Sequence, residues 1–288
     1  MRILSIDGGG IRGIVPATVL AALEERAGRP VCELFDLVAG TSTGGIIALA
    51  LTCPGPDGAP RWTAAEIARL YVDEGPRIFR RSLGRRITSV EGLIDERYPS
   101  DELRAVLQRY LGDTRLEAAL TPVLVTAYDL VARRPRFFKS WREDAGVPMA
   151  LAAEATAAAP TYFEPVRDGD AALIDGGVFA GNPAMCAYAE GVRLRPSARM
   201  RVLSLGTGSQ TRPIIDVVFD GSSDTVDYQL DQLLDDRHLR LQIELEHAKD
   251  DMDDVSPRNL AALEETGRDL VARNSDALDA WARALAAG

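Results

Sequence analysis

Up to Leu205, the chain alternates short apolar runs with helical patterns, and four of these runs end at a glycine turn. The four runs are Arg2–Ile6, Phe35–Ala39, Ala171–Ile174 and Arg201–Leu205. They are mostly apolar without strict alternation, which is typical of strands that are buried on both faces. We therefore predict four core strands, each followed by a tight turn at its carboxyl end.

The segments between these runs carry helical signals. Val15, Val19 and Leu23 recur at helical spacing after Gly13, and Gly28 is a suitable helix end. Further helices are predicted over Gly45–Cys53, Thr63–Glu74, Ser100–Leu111 and Pro148–Ala159 and from Asn182 onward, while Pro122–Tyr128 and Arg136–Lys139 are predicted to form a hairpin or edge pair. Two strand-turn-helix units at the start of the chain indicate a three-layer α/β fold around a central, mostly parallel sheet.

The composition changes beyond about Ile214, where long helical patterns with many charged residues continue to the C-terminus. No linker separates this part from the rest. We therefore expect a single domain over residues 1–288, with a catalytic α/β core at residues 1–209 and a mostly helical C-terminal part at residues 210–288.

Charge and cysteine content narrow the functional classes. The 288-residue chain has a net charge of −10, which disfavours binding to nucleic acid. Its three cysteines are widely spaced without a C-x-x-C pattern, which argues against a disulfide framework or a zinc site and fits a reducing compartment. The first ten residues, MRILSIDGGG, lack the apolar core of a signal peptide, and we expect a cytoplasmic protein.

An arginine-rich segment, Arg77–Arg86, stands out in this acidic chain. Apolar side chains lie between its arginines, so the segment is suited to transient contact with anionic head groups at a membrane surface. A solvated basic loop that balances the acidic C-terminal part is the simpler interpretation. Both interpretations remain open at this stage.

The segment Gly40-Thr41-Ser42-Thr43-Gly44 lies between a predicted strand and a predicted helix and matches the pattern G-x-S-x-G. In a nucleophile elbow, a turn of this kind pushes the serine hydroxyl out of the backbone into a cleft, and the glycines make room for the turn. A plain connecting turn is the alternative. Ser42 is therefore a candidate nucleophile, with Gly40 and Gly44 as the flanking glycines of the motif.

A serine nucleophile needs a base, and the chain offers only two histidines for this role. His238 and His247 lie in the acidic C-terminal part, where a surface or packing role is expected. Asp175 follows a predicted strand and precedes Gly176 and Gly177, where its side chain would be displayed. We therefore predict Asp175 as the base, with a pKa that partial desolvation must raise for this purpose.

The glycine-rich turn after the first strand is the candidate oxyanion hole. The backbone N–H groups of Gly8, Gly9 and Gly10 precede a helix N-terminus, and Arg12 adds a positive charge before Gly13 closes the motif. The same residues match the dinucleotide-binding pattern G-x-G-x-x-G. However, no acidic residue ends the second strand, and Asp7 would place a carboxylate beside a pyrophosphate. The hydrolase interpretation is therefore favoured, and it requires neither a metal nor a cofactor.

Three motifs together resemble the patatin-like phospholipase family, in particular its bacterial members. They are DGGGIRG at Asp7–Gly13, GTSTG at Gly40–Gly44 and DGG at Asp175–Gly177, supported by DGGVFAGNP at Asp175–Pro183 and VLSLGTG at Val202–Gly208. Each motif is weak alone, but three in this order are specific. One departure is the short gap Ser209–Ile215, where many bacterial relatives carry a longer insertion.

The resemblance implies a lipid acyl hydrolase of phospholipase A or lysophospholipase type with a patatin-like α/β fold. Ser42 would attack the ester carbonyl, Asp175 would activate Ser42 and then water, and the amides around Gly9 and Gly10 would form the oxyanion hole. No calcium or other cofactor is implied, the expected partner is a lipid ester substrate, and no motif specifies an oligomeric state. Two alternatives remain open: an acyltransferase using the same dyad, and a ligand-activated defence or virulence effector.

Overall fold

The structure is a computed structural model and describes residues 1–79, 98–209, 214–249 and 251–287. The strands in these residues are β1 (Arg2–Ile6), β2 (Leu37–Thr41), β3 (Val123–Asp129), β4 (Arg134–Lys139), β5 (Val166–Asp168), β6 (Ala171–Asp175), β7 (Arg201–Leu205) and β8 (His238–Leu241). The helices are α1 (Ile14–Ala27), α2 (Val31–Leu34), α3 (Thr43–Thr52), α4 (Ala64–Ile78), α5 (Ser100–Leu111), α6 (Met149–Ala157), α7 (Gly177–Ala180), α8 (Ala184–Leu194), α9 (Ile214–Leu234), α10 (Pro257–Arg273) and α11 (Ser275–Ala286).

All eight strands join one sheet, and most of them are parallel. Strands β3, β2, β1, β7 and β8 run side by side in the same direction. Strands β4 and β6 pair antiparallel with β3, and β5 pairs antiparallel with β6. The predicted α/β class with a mostly parallel sheet is therefore confirmed.

Both faces of the sheet are buried, which explains why the strand sequences are apolar without alternation. Ile3 and Leu37 are paired across β1 and β2 and point into a core beneath α8 and α9. Leu4 and Val38 are their neighbours and point into the larger core on the other face, which contains α1 and α3. Neighbouring residues of a strand thus serve different cores, and each needs an apolar side chain.

The prediction for the second strand was displaced by two residues. Phe35–Ala39 was predicted, but β2 is Leu37–Thr41, and α3 begins at Thr43 instead of Gly45. The difference arises because Gly40 continues the ladder and pairs with Ile6 of β1. The turn between β2 and α3 is therefore reduced to the single residue Ser42.

The C-terminal part is helical as predicted, but it also contributes a strand that the sequence did not reveal. The short β8 adds to the sheet beside β7, with Val202 opposite His238. Helices α10 and α11 pack against α1 of the core. The sequence signal for β8 was weak because the strand has only four residues and two of them, His238 and Arg240, are polar.

Most of the arginine-rich segment Arg77–Arg86 lies outside the described residues, as does most of the short gap Ser209–Ile215. Arg77 itself belongs to α4, where its Nε lies 2.5 Å from Oε2 of Glu102 on α5. The membrane-contact interpretation of this segment thus stays a prediction. Among the helices that the structure describes, none is both long and apolar enough to cross a membrane.

Candidate active site

Strand β3 aligns two other strands so that they meet end to end. Thr41, the last residue of β2, pairs with Thr126, and Asp175, the last residue of β6, pairs with the next residue, Ala127. Because β4 occupies the opposite side of β3 along its length, β2 and β6 must lie on the same side. They approach each other from opposite directions, and the Ser42 side chain lies close enough to Asp175 to lower the pKa of its carboxyl group.

The backbone of Ser42 is held in an unusual conformation. Its φ is 54° and its ψ is −124°, a combination that costs a residue with a side chain of the order of 1–3 kcal/mol. Its N–H donates to Oγ1 of Thr156 on α6 at 2.8 Å, which helps to hold the turn. The structure therefore has the strained geometry expected of a nucleophile elbow.

Burial gives Asp175 the raised pKa that a carboxylate base requires. Its side chain is only 5% exposed, and this burial raises its pKa from 3.8 to about 6. The Ser42 hydroxyl and the Gly177 amide, which donates to Oδ1 at 2.7 Å, favour the ionised form and oppose the shift. Asp175 is therefore ionised at neutral pH and is a stronger base than an exposed aspartate.

Close packing of the backbone explains three motif glycines. A Cβ on Gly40 would collide with the carbonyl of Gly44, and a Cβ on Gly44 would collide with the carbonyl of Ile6. A Cβ on Gly176 would collide with the side chain of Thr126. The elbow and the Asp175 turn can therefore approach the strand ends only because these positions lack side chains.

The glycine turn after β1 lies directly beside the elbow. A Cβ placed on Gly8 would be 3.3 Å from Cβ of Ser42. The Gly8 amide donates to the carbonyl of Gly181 at 3.0 Å, so it is already engaged. Within the described residues, the amides of Gly9 and Gly10 have no acceptor, so both N–H groups are available as donors.

Arg12 is directed at the backbone of this turn. Its Nε donates to the carbonyl of Gly9 at 3.3 Å and its Nη1 donates to the carbonyl of Gly208 at 3.2 Å. The guanidinium therefore joins the glycine turn to the loop after β7. This arrangement gives Arg12 a supporting role beside the site in addition to its charge.

A buried ion pair between Asp7 and Arg240 lies beside the glycine turn that follows β1. Arg240 on β8 donates to Oδ2 of Asp7 at 2.6 Å and to the hydroxyl of Ser204 at 2.9 Å. Burial is the main cause that raises the pKa of Asp7, and Arg240 opposes it. The Asp7 carboxylate is thus packed beneath the turn, which further disfavours the dinucleotide interpretation.

The C-terminal part also contacts the site from above, which the sequence did not predict. The carbonyl of Met252 accepts a hydrogen bond from the amide of Ile11 at 2.9 Å, and Met252 lies at the cleft. No local signal marked Thr156, Arg240 or Met252, because each reaches the site from a distant part of the chain. Thr207, whose hydroxyl donates to the carbonyl of Gly8 at 2.8 Å, also comes from a distant part of the chain, but it lies in the motif VLSLGTG that the sequence analysis named.

An apolar cavity opens beside Ser42. Its wall is formed by side chains from α3, α4 and α5 and from the segment after α6, among them Ile46, Ala50, Leu70, Leu107, Leu111 and Phe163. Sites for small organic ligands are typically lined in this way, mostly by apolar side chains. An apolar wall of this kind suits a hydrocarbon chain.

Neither histidine lies where it could act on Ser42. His238 begins β8 opposite Val202, so it lies at the end of the sheet where the parallel strands begin. Its Nδ1 lies 2.7 Å from Asp231. Ser42 follows β2, so it lies at the opposite end of the sheet, where the parallel strands finish. His247 is exposed on the C-terminal part. Neither histidine therefore competes with Asp175, the predicted base, for a place beside Ser42.

Comparisons with known proteins agree with this geometry. A family profile described as "Patatin-like phospholipase" matches residues 4–188. The chain is 30% identical to Patatin-like protein 2 of Oryza sativa subsp. indica, with 97% of this chain and 85% of the relative covered. It is 33% identical to Patatin-like protein 2 of Arabidopsis thaliana, over 94% and 83%, and 31% identical to Patatin-12 of Solanum tuberosum, over 99% and 88%.

Two solved structures also align with the chain. VipD from Legionella pneumophila aligns at a TM-score of 0.46 and 12% identity, over 96% of this chain and 66% of that one. The type III effector ExoU aligns at a TM-score of 0.48 and 13% identity, over 96% and 53%. The predicted bacterial subgroup stays a prediction, because the named sequence relatives are plant proteins. The profile match and the plant relatives place the chain in the patatin-like phospholipase family.

Proposed function

We propose that the protein is a lipid acyl hydrolase that cleaves carboxylic ester bonds of phospholipids or lysophospholipids through an acyl-Ser42 intermediate. The observation that carries this proposal is the close approach of the Ser42 side chain to a buried Asp175 beside an apolar cavity. A hydroxyl group, a carboxylate and an apolar cavity lie together there, which supports the proposal. The effector alternative has no comparable observation in its favour.

In the first step, the ionised Asp175 accepts the proton of the Ser42 hydroxyl while Oγ attacks the ester carbonyl carbon. A bond forms between Oγ and carbon, and the electron pair of the C=O bond moves to the carbonyl oxygen. The amides of Gly9 and Gly10 donate hydrogen bonds to this oxyanion. Gly8 is left out of this role because its amide already donates to Gly181.

The tetrahedral intermediate then collapses. The bond to the alkoxy oxygen breaks, and the leaving alcohol, such as a lysophospholipid, takes the proton from Asp175. Water next attacks the acyl-Ser42 ester, with Asp175 accepting its proton and returning a proton to Oγ as the fatty acid leaves. One carboxylate thus transfers protons in both half-reactions, and its raised pKa suits this double role.

The acyl chain is proposed to lie along α3. Thr43, Ile46 and Ala50 recur at helical spacing on the face of α3 that lines the cavity. At 1.5 Å per residue, the helix carries this wall about 12 Å from Ser42 to Ala50. Leu111 of α5 also lines the cavity. We therefore expect side-chain size at positions 50 and 111 to affect the preferred acyl length.

Two opposite substitutions test this placement. Ala50→Leu adds volume to the cavity wall and is expected to reduce kcat/KM for a long-chain ester relative to a short-chain ester by about 10-fold. Leu111→Ala removes volume and is expected to shift the same ratio in the other direction. Both variants should lose stability, so each serves as the other's control for nonspecific damage. A shift of both ratios in the same direction would contradict the placement.

The proposed function is tested by identifying products and the acylated residue. The purified protein is incubated with phosphatidylcholine, phosphatidylglycerol and their lyso forms in ¹⁸O-labelled water, and the products are analysed by mass spectrometry. Hydrolysis should release free fatty acid that carries ¹⁸O, and acid quenching should trap an acyl group on the peptide containing Ser42. Transfer of the acyl group to an added alcohol in place of water would favour the acyltransferase alternative. Absence of ester cleavage on the whole panel would refute the proposal.

A further inference from the structure

The direction in which the N–H groups of Gly9 and Gly10 point depends on the contacts of the carbonyl groups in the same peptide planes. In a trans peptide, the C=O and the following N–H point in opposite directions. The described residues contain no cis peptide bond. The carbonyl of Gly8 therefore shares a plane with the N–H of Gly9, and the carbonyl of Gly9 shares a plane with the N–H of Gly10. A hydrogen bond to one of these carbonyls therefore also fixes the direction of the N–H group in the same plane.

Thr207 holds the first of these planes. Its Oγ1 donates to the carbonyl of Gly8 at 2.8 Å, and its side chain is only 3% exposed. A Cβ on Gly9 would collide with the Thr207 side chain, so that side chain packs closely against the glycine turn. The contact thus combines a hydrogen bond with a tight steric fit.

Arg12 holds the second plane. The carbonyl of Gly9 accepts from the Arg12 backbone amide at 3.1 Å and from its Nε at 3.3 Å. The Gly10 amide is therefore aimed by two donors. The Gly9 amide depends on one side-chain hydroxyl, that of Thr207, as far as the described residues show.

The loop that carries Thr207 is itself anchored. The amide of Gly208 donates to Oε1 of Gln242 at 2.8 Å, and the carbonyl of Gly208 accepts from Nη1 of Arg12 at 3.2 Å. Gly208 has a φ of 88°, which favours glycine at this position. The hydroxyl of Thr207 is therefore presented by a loop that is held by Gln242, the residue after β8, and by Arg12.

We infer that Thr207 is a positioning residue for the oxyanion hole, which acts through the Gly8 carbonyl to aim the Gly9 amide at the reacting oxygen. This inference rests on the proposed acyl hydrolysis at Ser42. The Thr207 side chain hydrogen-bonds to the backbone and does not line the cavity. Its removal should therefore weaken stabilisation of the transition state more than binding of the substrate. Preorganised donors help catalysis because they need no reorientation when charge develops.

A pair of substitutions separates the hydroxyl from the packing. Thr207→Val keeps the branched shape but removes the donor, whereas Thr207→Ser keeps the donor and removes a methyl group. Losing one oxyanion donor costs about 10²–10³ in kcat, and we expect misorientation by Thr207→Val to cost about 10- to 100-fold with KM changed by less than about threefold. Thr207→Ser should recover kcat to within about threefold of the wild type.

A buried threonine elsewhere provides the matched control. Thr266 on α10 is 8% exposed, and its hydroxyl donates to the carbonyl of Ala262 at 2.8 Å. Thr266→Val removes the same group outside the site and should leave kcat and KM unchanged. Thermal unfolding of all variants shows whether a loss of activity follows a loss of folded protein.

A thionoester provides the readout that packing alone would not change. Sulfur accepts hydrogen bonds more weakly than oxygen, so the ratio of kcat/KM for a soluble ester and its thiono analogue reports on the oxyanion donors. Thr207→Val should lower this ratio by about the same factor as kcat, while Thr266→Val leaves it unchanged. An unchanged ratio in Thr207→Val, or failure of Thr207→Ser to recover kcat, would overturn the inference. If the wild type shows no Ser42-dependent turnover, the proposed function itself fails first.

Discussion

Replacing Ser42 with alanine is expected to lower kcat/KM for a soluble ester by about 10⁴-fold or more, because no acyl-enzyme can form. Ser42 lines the apolar cavity, and its side chain lies close to the buried Asp175. Ser42→Gly should lose the same activity. It should also be more stable than Ser42→Ala by about 1 kcal/mol, because glycine tolerates the φ of 54° better.

The measurement is initial-rate hydrolysis together with chemical unfolding of each variant. Ser140→Ala provides the control. Ser140 exchanges hydrogen bonds with Val123 at the start of β3, which is at the opposite end of the parallel strands from Ser42. This control should retain activity. Substantial turnover by folded Ser42→Ala would show that another group carries the reaction.

Replacing Asp175 with asparagine is expected to lower kcat by about 10³- to 10⁴-fold, because an amide cannot accept the Ser42 proton. The same change should stabilise the protein at pH 8. Asp175 has a pKa raised from 3.8 to about 6 in the folded state, so folding disfavours its ionised form. Two pKa units correspond to about 3 kcal/mol of stability, which the uncharged asparagine would regain.

The pH dependence tests both parts of this prediction. The stability that protonated Asp175 contributes is fully present below pH 3.8 and is lost as the pH rises through about 6. The unfolding free energies of wild type and Asp175→Asn should therefore converge near about pH 4 and separate towards about pH 8. Wild-type kcat/KM should rise through about pH 6 as Asp175 ionises and then level off.

A different outcome would locate the error. If the two unfolding free energies keep a constant difference over this pH range, the pKa of Asp175 is not raised by burial. If wild-type activity already reaches its plateau near pH 4, a carboxylate with an ordinary pKa is the base. Either result would require a different assignment of the proton acceptor.

Local patterns were sufficient for much of the architecture. The predicted bounds Arg2–Ile6, Ser100–Leu111 and Arg201–Leu205 match β1, α5 and β7. The start of the helix predicted over Thr63–Glu74 is also close, since Thr63 caps α4 and its hydroxyl accepts from the Glu66 amide at 3.2 Å. These features depend on residues close in sequence, so propensity and periodicity report them directly.

The candidate dyad could also be named from the sequence. Ser42 lies in a glycine-flanked turn, the two histidines fall in the C-terminal part, and Asp175 precedes two glycines at a strand end. A scarcity of alternatives, together with turn chemistry, was enough to select the pair. The direction of the shift that Asp175 needs followed from elementary acid-base chemistry.

The tertiary structure decided how these groups meet. Strand β6 runs against β2 along the same side of β3, so Asp175 reaches Ser42 from the opposite direction. The supports of the site come from far along the chain, with Thr156 at the elbow and Thr207 and Arg240 at the glycine turn. A sequence pattern records which faces are apolar and where turns occur, but it does not record which distant strands become neighbours. Strand order is determined by packing of the whole chain, and that packing placed a buried carboxylate, the glycine-turn amides and the apolar cavity around one hydroxyl.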